Sequence, residues 1–74
     1  MSLTKRQLEV LRIMRDRDEE LVYEQGEGWV DDEKIAPRTF FALLRSCAIS
    51  CVEIGQVGRL ERYRLNSTGR SYLP

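Results

Sequence analysis

Pro37 divides this chain more firmly than any other residue. Its ring removes a backbone donor and biases Ala36 away from helical geometry, so no regular helix runs through this point. A helix that starts at Pro37 is favoured instead, because the first helical position needs no N–H. From there "PRTFFALLRSC" keeps helical spacing as far as Cys47. Ala36 at the N-cap has no side-chain acceptor, which forgoes roughly 1 kcal/mol of capping. The same boundary separates charge. Residues 1–36 carry six basic and ten acidic side chains, net −4, while residues 37–74 carry six arginines against Glu53 and Glu61, net +4. The formal total is zero, yet an arginine-only basic half can present a face to a polyanion.

Upstream of Pro37, "LTKRQLEVLRIM" has a clear helix start. Thr4 and Gln7 have capping-box spacing, and Leu3 and Leu8 are placed for a hydrophobic staple. Leu3, Leu8, Val10, Leu11 and Met14 fall on one stripe, which predicts an amphipathic helix over residues 4–18. Residues 21–36 are less decided. Leu21–Tyr23 either prolongs that helix or is already extended, and Gly26 and Gly28 mark a turn. Trp29 and Val30 read as a short strand or a packed connector. "DDEKIA" is either one helical turn capped by Asp31, or part of a strand or hairpin over Trp29–Ile35.

Downstream, "SCVEI" and "RLERYRL" read as two strands joined by "GQVG". In the second strand Leu60, Arg62 and Arg64 share one face and Glu61, Tyr63 and Leu65 the other, with Tyr63 and Leu65 turned to the core. "NSTGRSYLP" offers Asn66 or Ser67 as the cap of a last short turn.

With 74 residues the chain is expected to be a single domain, 1–74, around one modest core. No apolar run reaches the roughly 20 residues of a membrane span and no signal-peptide pattern opens the chain, so a cytoplasmic protein without a membrane partner is expected. There is no histidine, and Cys47 and Cys51 alone make a poor zinc site. Both are expected as buried small hydrophobes, or as one buried and one partly exposed. The acidic runs "DRDEE" and "DDE" lack calcium-loop spacing. No catalytic residue, metal or cofactor is therefore assigned, and an enzyme is not expected.

The order helix, connector, helix, hairpin, with "PRTFFALLRSCAI" leading into "RYRLNSTGRSYL", resembles the winged helix-turn-helix domains of small bacterial and phage regulators. "LTKRQLEVLRIM" is similar to their first helix, and the resemblance spans nearly the whole chain. It implies an α+β fold: an N-terminal helix, a short connector, a recognition helix over 37–47, a two-stranded wing within 50–65 and a short C-terminal turn or helix. Cys47 stands where these domains mostly carry glycine.

The resemblance also implies a transcriptional regulator bound to double-stranded DNA. On a helical projection Phe40, Leu43, Leu44 and Cys47 form the core side, with Arg38, Ala42 and Arg45 opposite and Thr39 and Ser46 at one margin. Arg38, Thr39, Ala42, Arg45 and Ser46 would then enter or border the major groove, and Arg59, Arg62 and Arg64 would act from the wing. The alternative is a winged-helix protein-contact module, such as a phage protein docking on a host factor, or self-association as a dimer. Trp29 and Phe41 are its candidate contacts. Phe41 either fills a groove between helix and wing or stands exposed as an anchor.

Overall fold

The computed structural model describes residues 3–54 and 60–74. Its elements run α1 (Lys5–Asp16), β1 (Leu21–Glu24), β2 (Glu27–Val30), β3 (Glu33–Ile35), α2 (Pro37–Arg45), β4 (Ile49–Ile54), β5 (Leu60–Leu65) and α3 (Ser67–Ser71). All five strands join one antiparallel sheet in the order β3-β2-β1-β5-β4.

The capping box forms as its spacing requires. The Thr4 hydroxyl accepts from the Gln7 N–H at 3.2 Å, and the Gln7 side chain accepts from the Thr4 N–H at 2.9 Å. Val10, Leu11 and Met14 are buried from this helix. Beyond it Asp18 takes φ 53°, and the Glu19 N–H reaches back to the Met14 carbonyl at 3.1 Å, closing the helix end.

Residues 21–35 settle as a three-stranded meander. Gln25 (φ 50°) and Gly26 (φ 82°) both lie in the left-handed region, the pair of torsions that a tight hairpin turn demands. Val22, Tyr23, Trp29 and Val30 supply the β-branched and aromatic content that suits strands. Asp31 (φ 55°) turns β2 into β3 rather than capping a helix.

The winged helix-turn-helix expectation is corrected here. The fold is α+β, but no helix precedes α2 where the second helix of that motif would stand. Strands occupy that stretch because the turn residues and Pro37 leave too little uninterrupted chain for a helix. Nor is the C-terminal hairpin a two-stranded wing: β5 also pairs with β1, through Leu21–Tyr63 and Tyr23–Glu61, and so belongs to the five-stranded sheet.

Side-chain alternation then makes the sheet one-sided. Leu21, Val30, Ile35, Ile49 and Tyr63 are buried with Val10, Leu11, Met14, Phe40 and Leu43 in one core cluster. Leu65 packs against that cluster too, as its parity with Tyr63 requires. The intervening positions Lys34, Trp29, Val22 and Arg62 are cross-strand neighbours on the opposite, open face. Between Cys51 and Glu53 the β4–β5 register shifts, leaving Val52 as an extra residue on the edge strand.

Two contacts lock the C-terminal half. Asn66 caps α3 by accepting from the Gly69 N–H at 2.8 Å, and its amide nitrogen donates to the Cys47 carbonyl and the Ser50 hydroxyl, each at 2.8 Å. Gly69 lies so close to the chain just before β4 and to the end of β5 that a Cβ there would fall 2.2 Å from the Ala48 carbonyl oxygen and 2.5 Å from Leu65 Cδ1. α2 meanwhile ends in a Schellman turn, with Cys47 N–H bonded to the Leu44 carbonyl at 3.0 Å and Ala48 N–H to the Leu43 carbonyl at 3.1 Å. Cys47 takes φ 59° in this turn.

Gly69→Ala should therefore lower unfolding free energy by about 2–3 kcal/mol in urea titrations, through overpacking against backbone that cannot yield. Cys47→Gly should act in the opposite direction. It relieves a left-handed residue of its Cβ at some entropic cost, for a net gain of roughly 0.5 kcal/mol in the same assay.

Candidate interaction surface

α2 is held by its aromatic residue at position 40. Phe40 stacks on Tyr23 of β1 with ring centroids 4.1 Å apart and an interplanar angle of 8°, and meets Tyr63 of β5 edge-on at 5.1 Å. This contact turns the helix. Its buried side comprises Thr39, Phe40 and Leu43, a rotation of about 40° from the stripe expected of Phe40, Leu43, Leu44 and Cys47.

Several expected positions change accordingly. Thr39 is 7% exposed and faces the core, so it is not on the outer side with the arginines. Ser46 is half-buried, and its hydroxyl donates to the Leu43 carbonyl at 3.0 Å. Cys47 is exposed rather than buried because the left-handed cap carries it off the helix, and Cys51 on edge strand β4 is exposed too; both are free thiols.

Arg38, Phe41 and Arg45 stand exposed and Ala42 half-buried. On a helix the spacing i, i+3, i+7 puts Arg38, Phe41 and Arg45 along one side. Phe41 is 47% exposed and does not fill a groove; its ring rests edge-on against Tyr23 at 5.9 Å and tilted against Phe40 at 5.2 Å. Among the described residues neither Arg38 nor Arg45 forms an ion pair. No acidic residue occurs anywhere from Lys34 to Val52.

The strand arginines lie elsewhere. Arg62 and Arg64 alternate with buried Tyr63 and so project from the open face of the sheet, away from α2. Arg62 grips the Glu20 carboxylate through two bonds, Nε to Oε1 at 2.8 Å and Nη2 to Oε2 at 3.3 Å. Arg64 lies 4.0 Å from Asp18. Arg59, together with Gln56 and Val57 of the expected hairpin tip, falls outside the described residues. Trp29 is 39% exposed on the open face, with the Lys34 ammonium 5.9 Å above its ring. Helix and strand arginines thus form two surfaces on opposite sides of the sheet, and Trp29 and Phe41 are separated in the same way.

No family model, curated protein or solved structure matches the chain.

The remaining polar features are local. The Arg62 guanidinium, through its hydrogen bonds, holds the Glu20 carboxyl below its ordinary value of 4.5. Burial, followed by the hydrogen bond that its hydroxyl donates to Glu61, pushes the Tyr63 phenol well above the usual tyrosine range. A depression between the end of α1 and α3, edged by Asp18, Glu20, Arg64 and Arg70, holds little more than a water molecule. Among the described residues no cluster of three His, Cys, Asp or Glu is placed to hold a metal, and no helix is long and apolar enough to cross a membrane.

Sequence reasoning missed Tyr23 as the support beneath Phe41, although its alternation with Leu21 was the available signal. It also missed the Glu20–Arg62 pair, for which no local signal exists. Because the folded carboxyl is more acidic than the unfolded one, this pair stabilises the protein above the ordinary carboxylate range and is lost as pH falls through the folded value. The gap in melting temperature between wild type and Arg62→Gln should therefore be open at neutral pH and close as pH falls below the ordinary carboxyl value of 4.5.

Proposed function

We propose that this chain is a protein-contact module whose working surface is the outer side of α2. The observation that carries this is Phe41, a half-exposed ring backed by Phe40 and Tyr23 and bracketed by two arginines without ion pairs among the described residues. Aromatic and arginine side chains dominate the energetics of protein interfaces, and a ring already held by its neighbours loses little conformational freedom on binding. An apolar ring of this exposure between charged side chains gains most from an apolar counterpart on a partner.

A second function, DNA binding with α2 in the major groove as part of a transcriptional regulator, is favoured by one observation. The acid-free stretch from Lys34 to Val52 carries Lys34, Arg38 and Arg45. Against it, Arg62 and Arg64 face the other way and are engaged with acidic neighbours, so they add no backbone contacts on the α2 side.

A photoreactive benzoylphenylalanine at position 41 separates the two. Cross-linking to protein should survive nuclease treatment and be lost when Arg38 and Arg45 are both replaced by glutamate. In parallel, duplex DNA should bind no more tightly than the roughly 10⁻⁴–10⁻⁶ M of non-specific association at physiological salt. A steeper salt dependence that flattens in Arg38→Ala and Arg45→Ala would instead establish DNA as the ligand.

A further inference from the structure

We infer that the partner docked on α2 presents an acidic helix, with two carboxylates one heptad apart and an apolar side chain between them. This rests on the outer side of α2 being the contact surface. Arg38 and Arg45 are seven residues apart, which on a helix separates them by about 10.5 Å along the axis while keeping them nearly in line. Phe41 projects between them, and Ala42 beside it leaves room for a neighbouring backbone to approach.

The spacing selects the shape of the partner. A helix crossing at about 20° repeats its contacts every 3.5 residues, so carboxylates at i and i+7 meet both arginines while residues i+3 and i+4 meet Phe41. An extended strand offers same-face residues at about 6.7 Å or 13.4 Å, which match the axial spacing of Arg38 and Arg45 less closely than a helix does. A duplex would satisfy the guanidinium groups but gives the Phe41 ring little apolar surface to cover.

Charge selects its sign and its source. On this chain's own described helices the carboxylates are Glu9 and Asp16 of α1, which pair with Arg6 and Arg15. A second copy's α1 would bring Arg6, Arg12 and Arg15 against Arg38 and Arg45 together with those carboxylates, whereas an unrelated acidic helix would not. The two arginines therefore complement carboxylates supplied from outside the chain.

The test uses the full chain and an alanine-based helical peptide with Glu at i and i+7 and Leu at i+3 and i+4. Backbone amide shifts are followed by NMR during titration. The expected result is perturbation centred on residues 37–46. Affinity should fall roughly three- to tenfold when both peptide glutamates become Gln, and similarly for Arg38→Gln combined with Arg45→Gln, because exposed pairs contribute modestly. Equal binding of the Glu and Gln peptides, or shifts confined to other elements, overturns the acidic-helix inference. If both peptides bind at residues 37–46 and Phe41→Ala abolishes both, the contact surface stands and only the acidic partner fails. If a 20-base-pair duplex perturbs residues 37–46 and no peptide does, both fail. The absence of any shift at millimolar acidic peptide also overturns the inference.

Discussion

Strands β1 and β5 come from opposite ends of the chain and meet along Leu21–Tyr63, Val22–Arg62 and Tyr23–Glu61. This seam joins a three-stranded N-terminal meander to a C-terminal hairpin, and the two-stranded hairpin alone would be marginally stable at best. Phe40 covers it, lying flat on Tyr23 and edge-on to Tyr63. Because one ring contacts both strands, the position of α2 over the sheet and its rotation about its own axis are set together. The outward placement of Arg38, Phe41 and Arg45 follows from that rotation.

What was legible in the sequence was what short-range chemistry decides. The capping box at Thr4 and Gln7, the helix start at Pro37 and the alternation of Arg62, Tyr63 and Arg64 all depend on residues within a few positions of each other. The long-range pairings were not legible. β1 could not be matched to β5 by spacing alone, so residues 21–35 stayed undecided and the order of elements suited a winged helix that the sheet does not form. The burial of Thr39 was missed for a related reason. Periodicity gives the width of an apolar stripe, but the neighbour decides where its centre falls.

Electrostatics sort the surface in the same long-range way. By sequence the chain divides into an acidic and a basic half. In the fold, Glu20 and Asp18 of the first half lie beside Arg62 and Arg64 of the second, so much of the apparent dipole is neutralised across the open face. The arginines of α2 lie on the other side of the sheet from these carboxylates. Of the described arginines in residues 37–74 that form no ion pair, Arg38 and Arg45 lie together on one side of α2 and Arg70 lies apart on α3.

The shift of register at Val52 bears on how the molecule behaves in a crowd. A regular edge strand is an open template on which another chain can add itself, and a sheet with two such edges can grow without limit. Here one edge, β3, is only three residues long, and the other, β4, is interrupted where Val52 breaks the ladder. Both borders resist backbone-to-backbone zippering of the kind that seeds fibres. Association is thereby left to side chains, where it can be selective and reversible.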